Sequence, residues 1–254
     1  MIPLVVAHNT FREVTRDRVV AGAVVAGLAL LAITQVVGPL ALGEGGRLTV
    51  DLGLSGISVL GLLVIVLSGT SLVAKEVERR TIYNLLSRPI TRPAYLVGKW
   101  AGLSAALWTV ALLLGLALWG VLAARGLGDR GPAVLQGVYL AGLELTVLTS
   151  LAVMFSALST PVLSALYTLG FYAVGQWSYD LRGLAARLPE GPGALLGTAA
   201  SLVPNLPLFN MRTLAAEGQP TTWLHLVLAS GYAAVYVGCV LCLATAAFES
   251  KDFK

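Results

Sequence analysis

Two cysteines and two histidines are the residues of this sequence whose types suit metal or redox chemistry. Cys239 and Cys242 form a C-x-x-C pair one helical turn apart, and two thiolates at that spacing could share a soft ion such as Cu(I). The pair sits inside a long apolar run, where cysteine also occurs as a small hydrophobic residue. His8 and His225 are far apart in the chain, so they form no zinc-protease pattern. We therefore predict no resident metal, while the cysteines leave a role with a soft metal open.

The sequence contains no recognisable nucleotide-binding or catalytic motif. Gly98-Lys99 is followed by Trp100 and lacks the upstream glycines of a phosphate-binding loop. We therefore expect no enzymatic activity and no cofactor on this chain. The net charge of +4 arises in loops between apolar runs rather than on one basic face, so nucleic acid is not an expected partner.

Glu144 is notable because it is the only charged residue within positions 131–179. It would lie about 20 Å from the near end of its helix, at 1.5 Å per residue, which is past the membrane midplane. A carboxylate there costs several kcal/mol unless it is protonated, paired or hydrated. Thr146, Thr149 and Ser150 are polar neighbours on the same helix, but only another span can supply a proper partner. We predict a protonated carboxyl that holds the resting bundle; a purely structural contact is the alternative.

The longest charged interruption, residues 75–99, carries six of the 17 basic residues. Ile82, Leu85 and Leu86 recur at i, i+3 and i+4, so they share one face of a short helix. Pro89 ends that helix, because proline removes a backbone donor and restricts the residues before it. A short amphipathic helix between two spans could dock a partner. The alternative is an ordinary loop that is basic because orientation requires it.

The composition is typical of a polytopic membrane protein of the all-α class. Hydrophobic residues make up 57% of the 254 and charged residues only 12%, whereas a soluble domain carries about 25% charge. A helix needs about 20 apolar residues to cross the hydrocarbon core. We predict one transmembrane domain, residues 1–254, with six spans at residues 19–43, 52–74, 100–124, 133–158, 161–179 and 223–248.

Two segments are neither spans nor plain loops. In residues 1–18, Leu4, Ala7, Phe11 and Val14 recur at helical spacing, which predicts an amphipathic helix lying flat at the membrane surface; a flexible basic tail is the alternative. Residues 180–222 contain a short apolar stretch followed by several prolines. This segment is predicted to be a partly re-entrant external helix pair, or else a linker on the headgroups.

The distribution of Lys and Arg predicts the orientation. If the N-terminus is cytoplasmic, the inner segments carry 11 of these residues and the outer segments 6. Because cytoplasmic loops are enriched in Lys and Arg, both termini are expected in the cytoplasm.

The charged stretch and several shorter segments resemble ABC-2-type permeases, the membrane subunits of ATP-binding-cassette exporters. The run E-x-E-R-x-T-I-x-x-L-L-S-x-P-I-x-R at residues 76–92, followed by Tyr95 and Gly98-Lys99, is similar to their coupling-helix region. The amphipathic N-terminus, the segments VPNL and FNMR at residues 203–206 and 209–212, and the charged tail extend the resemblance over the whole chain. Within the family, the sequence resembles the NosY-like permease group.

The resemblance implies a type V exporter-like permease in the cytoplasmic (inner) membrane. Its expected partners are two copies of an ABC ATP-binding subunit, which carry the ATP and Mg, a second permease that is most simply another copy of this chain, and membrane lipid. It also assigns candidate residues. Those for coupling to the ATPase are Glu76, Glu78, Arg79, Thr81, Ile82, Leu85, Leu86, Pro89 and Arg92. Those for an external gate are Pro204, Asn205, Phe209 and Asn210.

Three other functions stay open on the sequence. A related permease could pass a copper- or sulfur-related species for metal-centre maturation, which Cys239 and Cys242 would suit. A membrane anchor of a motility or envelope assembly would move no small molecule. A channel that needs no ATP is the third.

Overall fold

The computed structural model describes residues 2–38, 44–73 and 91–249, and every regular element in these ranges is a helix. The predicted all-α class is therefore confirmed for this part of the chain. Its ten α-helices are α1 (Ile2–Thr15), α2 (Arg18–Val37), α3 (Gly45–Leu67), α4 (Arg92–Ala124), α5 (Gly131–Leu158), α6 (Pro161–Gln176), α7 (Ser178–Ala185), α8 (Glu190–Leu202), α9 (Arg212–Ala216) and α10 (Trp223–Glu249). Short 3-10 turns lie at Gly69–Ser71, Gly128–Arg130 and Leu206–Phe209.

Five of these helices, α2, α3, α4, α5 and α10, are long and apolar enough to cross a membrane. The helix α6 has 16 residues and is about 24 Å long at 1.5 Å per residue, which is short of the roughly 30 Å hydrocarbon core. The predicted sixth span, residues 161–179, therefore stays a prediction.

Two spans begin earlier than the apolar runs suggested. The helix α3 starts at Gly45 and includes Arg47 and Asp51, and α4 starts at Arg92 and includes Lys99. Runs of uncharged residues underestimate such helices, because a helix continues past the hydrocarbon wherever its side chains find water or a partner. Pro93 fits near the α4 N-terminus, where no intrahelical N–H is needed.

The helix α5 lies at the centre of the bundle and is the most buried of the five long helices. It packs against α3, α4, α6 and α10, and α2 packs against α3 and α4. Leu140, Val147 and Leu148 of α5 are fully buried in the main apolar core. Any side chain on the inward faces of α5 is therefore surrounded by other helices.

The N-terminal helix α1 packs along the first turns of α4. A Cβ added at Gly98 would lie 2.7 Å from the Cβ of Val6, and one at Gly102 would lie 2.5 Å from the carbonyl oxygen of Ala7. Only glycine lets the two backbones come this close, as in other small-xxx-small helix contacts. Of the predicted apolar face of α1, Val14 is buried, whereas Leu4 is 75% exposed.

Candidate functional site

Hydrogen bonds to neighbouring helices fix the chain on both sides of residues 74–90. Just before the charged stretch, the Ser156 hydroxyl of α5 donates to the carbonyl oxygen of Thr70 (2.7 Å) and accepts from the N–H of Val73 (3.1 Å). Within the last part of that stretch, the Arg92 guanidinium donates to the carbonyl oxygen of Phe248 (2.8 Å) and lies 5.8 Å from the centre of the Phe248 ring. The charged stretch is thus tied to the ends of both α5 and α10.

A small apolar cluster reinforces these hydrogen bonds. Val73 and Phe248 are almost fully buried together with Tyr95 and Leu96 of α4 and Val153 of α5. We call the residues that make these contacts the platform, and the end of the bundle where they lie the platform end. The platform residues are Ser68, Thr70, Val73, Arg92, Tyr95, Ser156 and Phe248.

The junction of α1 and α2 is joined to the same platform. Asp17 caps α2 by accepting from the N–H of Val19 (3.0 Å), and its second carboxylate oxygen accepts from the Ser68 hydroxyl (2.7 Å). Lys99 of α4 is nearly buried, and its ammonium lies 3.9 Å from a carboxylate oxygen of Glu13. The N-terminal helix is therefore connected to α2, α3 and α4 at the point where the charged stretch departs.

Most of the predicted coupling residues lie outside the described residues. Arg92 is the one that the structure describes, and it is a platform residue at the first position of α4. The coupling candidates outside the described ranges are Glu76, Glu78, Arg79, Thr81, Ile82, Leu85, Leu86 and Pro89.

Glu144 is buried in the middle of α5 and is hydrogen-bonded to two other helices. The Ser58 hydroxyl of α3 donates to its Oε2 (2.9 Å), and the Gln176 amide of α6 donates to its Oε1 (2.8 Å). Glu144 is 4% exposed and Ser58 is 2% exposed. One carboxyl group thus joins three helices in the interior of the bundle, and we call this group with its two partners the Glu144 junction.

Sequence reasoning anticipated a partner for Glu144 on another helix but did not identify Ser58 or Gln176. The neighbours it named are occupied elsewhere: Thr149 and Ser150 donate to carbonyl oxygens of their own helix, and the Thr146 hydroxyl accepts from the Trp108 indole (3.0 Å). A usable signal did exist. Gln176 is the only carboxamide in residues 161–179, and glutamine side chains in spans often hydrogen-bond across to another helix.

Gln176 is also the last residue of α6, so the Glu144 junction lies where the external segment begins. Beyond it, Leu206 is fully buried and Phe209 is 3% exposed, and the turn that carries them packs on α5 and α6. Asn205 is held by two contacts: its N–H donates to the Tyr232 hydroxyl (2.8 Å), and its side-chain oxygen accepts from the Ser178 hydroxyl (3.1 Å). Residues 204–210, which we call the returning segment, therefore pass back into the bundle on the side away from the platform.

The four predicted gate residues lie together on this returning segment but in different surroundings. Pro204 and Phe209 are buried, Asn205 is half-buried and Asn210 is exposed. The Asn210 side chain accepts from the backbone N–H of Arg212 (3.3 Å), at the start of α9.

Cys239 and Cys242 are both exposed on α10, three residues apart and hence on one face. Within the described ranges, no group of three or more His, Cys, Asp or Glu side chains could hold a metal ion. The His225 ring bonds the carbonyl oxygen of Leu208 (3.1 Å), so it helps to fix the returning segment.

Comparison with protein families gives a match that extends from the first turn of α3 to beyond the end of α10. Residues 47–253 match the family described as "ABC-2 family transporter protein". The match includes residues 75–99 of the charged stretch, the Glu144 junction and the returning segment. No curated protein matches the chain.

Proposed function

The chain belongs to the ABC-2 family of transporter proteins, and on that premise we propose that it forms the route by which an ABC exporter moves its substrate out across the cytoplasmic membrane. Membership makes the chain a permease subunit of an ABC transporter, a membrane component that is not itself catalytic and that pairs with an ATP-binding subunit. The finer proposal is a type V, NosY-like permease with both termini in the cytoplasm. It works as a homodimer with two ATP-binding subunits, which supply the ATP and Mg.

The observation that carries the proposal is the platform. In an exporter of this kind, a movement of the ATPase has to reach the spans through the stretch between α3 and α4. Both ends of that stretch are hydrogen-bonded to neighbouring helices, through Ser156 of α5 and through Arg92 to α10. A displacement of the stretch would therefore act on four long helices together rather than be absorbed in a loop.

In our proposal Ile82, Leu85 and Leu86 fill an apolar groove on the ATPase, and the charged residues around them set the docking register. Replacing Leu85 and Leu86 with Asp should release the ATPase, because two carboxylates would be buried without partners. We expect the permease to reach the membrane in normal amount but to purify without ATPase activity.

A matched control is Leu214→Asp, which adds a carboxylate at an exposed position of α9, at the opposite end of the bundle. This variant should keep its ATPase. Recovery of ATPase activity with the Leu85, Leu86 double variant at the wild-type level would overturn the assigned docking face.

The proposed orientation puts the platform end in the cytoplasm. In a background lacking Cys239 and Cys242, Asp129→Cys lies in an exposed turn at the opposite end and should react with an impermeant maleimide in whole cells. Ser87→Cys should react only after lysis. Labelling of Ser87→Cys in intact cells would show that the orientation is reversed.

We propose that α6 and the returning segment together provide the sixth crossing. The helix covers about 24 Å, and the buried residues Leu206 and Phe209 lie in the returning segment beyond its end. In this arrangement Pro204, Asn205, Phe209 and Asn210 cap the export route, and the Glu144 junction holds the cap in its resting position through Gln176.

A second candidate function, passage of a copper- or sulfur-related species for metal-centre maturation, is favoured by the placement of Cys239 and Cys242 on one exposed face of α10. Replacing both with Ser tests it. If the receiving metal centre still matures normally in the double variant, the two cysteines have no role in that function.

A further inference from the structure

A polar cleft opens between α7, the turn that follows it and the gate residue Asn205, away from the platform. Its volume is about 920 Å³. The residues that could bind a ligand there are Tyr179, Asp180, Arg182, Arg187 and Asn205. Asn205 is fixed by its bonds to Tyr232 and Ser178, so one wall of the cleft is rigid.

The two arginines of the cleft have no carboxylate partner among the described side chains. The Arg182 guanidinium reaches only the carbonyl oxygen of Ala200, at 3.5 Å, and no described carboxylate lies within 4.0 Å of Arg182 or Arg187. Even with Asp180 in the lining, positive charge is in excess. The cleft therefore offers two guanidinium groups to an anion.

Three other arginines on the same side of the bundle are engaged. Arg47 pairs with Glu217 (3.6 Å), Arg130 donates to the carbonyl oxygen of Ala216 (2.7 Å), and Arg125 makes three hydrogen bonds at the ends of α2 and α3. These contacts explain why those arginines are present. The same explanation does not apply to Arg182 and Arg187.

The residues that border the cleft favour a position at the level of lipid headgroups. The helix α7 follows directly on α6. Trp177 and Tyr179 at this boundary are 66% and 76% exposed, as in an interfacial aromatic belt. Leu184 and Leu195 of the α7–α8 hairpin are also exposed, which suits contact with acyl chains.

We propose that the cleft binds the phosphate group of an anionic membrane phospholipid. Arginine suits this ligand because its planar guanidinium pairs with two phosphate oxygens at once. The Asn205 amide and the Tyr179 hydroxyl supply further donors, and Leu184 lies beside the first carbons of the acyl chains. The ligand chemistry is a phosphate monoester or diester, and the exposed leucines favour its lipid form over a free anion.

Native mass spectrometry of the full-length protein in detergent, titrated with phosphatidylglycerol, tests this assignment. We expect the double variant Arg182→Gln, Arg187→Gln to bind the lipid roughly tenfold or more weakly, since hydrogen bonds to a charged group are lost. Arg187→Lys should fall in between, because it keeps the charge but not the planar fork.

The matched control is Arg47→Gln, which removes one guanidinium on the same side of the bundle where a carboxylate already pairs with it. Its affinity for phosphatidylglycerol should equal that of the wild type. Equal lipid binding by the wild type and the double variant would overturn the site.

Two further titrations identify the source of the phosphate. Phosphatidylcholine, whose phosphate is balanced by a choline cation, should bind more weakly than phosphatidylglycerol. Inorganic phosphate at millimolar concentration should fail to displace the lipid. If it displaces the lipid fully, the cleft is a site for free phosphate and the lipid assignment is wrong.

Discussion

The two ends of this helical bundle are built differently. At the platform end, helix termini are joined to one another: Asp17 bonds Ser68, Ser156 bonds the turn after α3, and Arg92 bonds the end of α10. At the opposite end, Arg125 also joins the ends of α2, α3 and α4, but four short elements lie between α6 and α10, and the α7–α8 hairpin packs mostly on itself.

The difference indicates which end transmits force and which end rearranges. A terminus fixed by hydrogen bonds to two neighbours moves only if the neighbours move with it. The α7–α8 hairpin makes few contacts with the rest of the bundle, so it can separate at lower cost, as weakly packed elements of proteins generally do. Glu144 lies between the two, and its bond to Gln176 is a direct connection from the central helix to the segment that would open.

The largest effect should follow from separating α1 from the platform end. In Gly102→Leu, the new side chain would clash with the backbone of α1 at Ala7, so α1 must detach. We expect a loss of about 1–3 kcal/mol of stability, measured as a lower Tm in detergent, together with loss of ATPase coupling.

Gly120→Leu in the same helix is the control, because a Cβ at Gly120 meets nothing within 4 Å. Both variants gain the same helix propensity, so the difference between them reports the contact with α1. Equal Tm values would mean that the platform end does not depend on α1.

An intermediate effect is expected at the Glu144 junction. Glu144→Ala leaves the Ser58 hydroxyl and the Gln176 amide without their acceptor, at a cost of about 1–2 kcal/mol for interhelical bonds in membranes. Glu144→Gln should fold normally, because rotation of the Gln176 amide restores a matching pair.

The Gln variant then separates a structural role from a role in the transport cycle. If the carboxyl changes protonation during the cycle, the ATPase activity of the reconstituted Gln variant should lose its pH dependence between about pH 6 and pH 8. A wild-type pH profile in that variant would leave Glu144 only its structural contact.

The smallest effect should come from Ser156→Ala, which removes one of the bonds that fix the turn after α3. We expect a loss of about 1 kcal/mol, measured by thermal unfolding, because the N–H of Val73 loses a buried acceptor. Ser150→Ala on the same helix is the control, since Ser150 bonds only a carbonyl oxygen of its own helix. If the two variants have the same Tm, the bond from Ser156 to Val73 does not stabilise the platform end.

The sequence predicted the membrane-spanning helices better than it predicted their ends. Long apolar runs report burial in lipid, and lipid requires a helix. Helix ends depend on partners distant in the chain. Arg92, the first residue of α4, donates to the carbonyl oxygen of Phe248, and no local pattern contains that information.

The sequence predicted those residues of the candidate site that cost much free energy when they have no partner in the membrane. Glu144 was identified from the cost of a carboxylate in lipid, although Ser58 and Gln176 were not, because hydroxyl and amide groups occur in spans without any partner outside their own helix. Gly98 and Gly102 were missed for a related reason. These glycines matter because they have no side chain, which leaves room for α1. That role can be seen only once the position of α1 against α4 is known.

The lengths of α4 and α6 also determine how each can be inclined in a bilayer. The helix α4 is about 50 Å long, so it can tilt well away from the membrane normal and still cross the hydrocarbon. The helix α6, at about 24 Å, has no length to spare, and any tilt would draw its end further from the far surface. Its remaining movements are rotation about its own axis and sliding along it, and either one would carry Gln176 past Glu144.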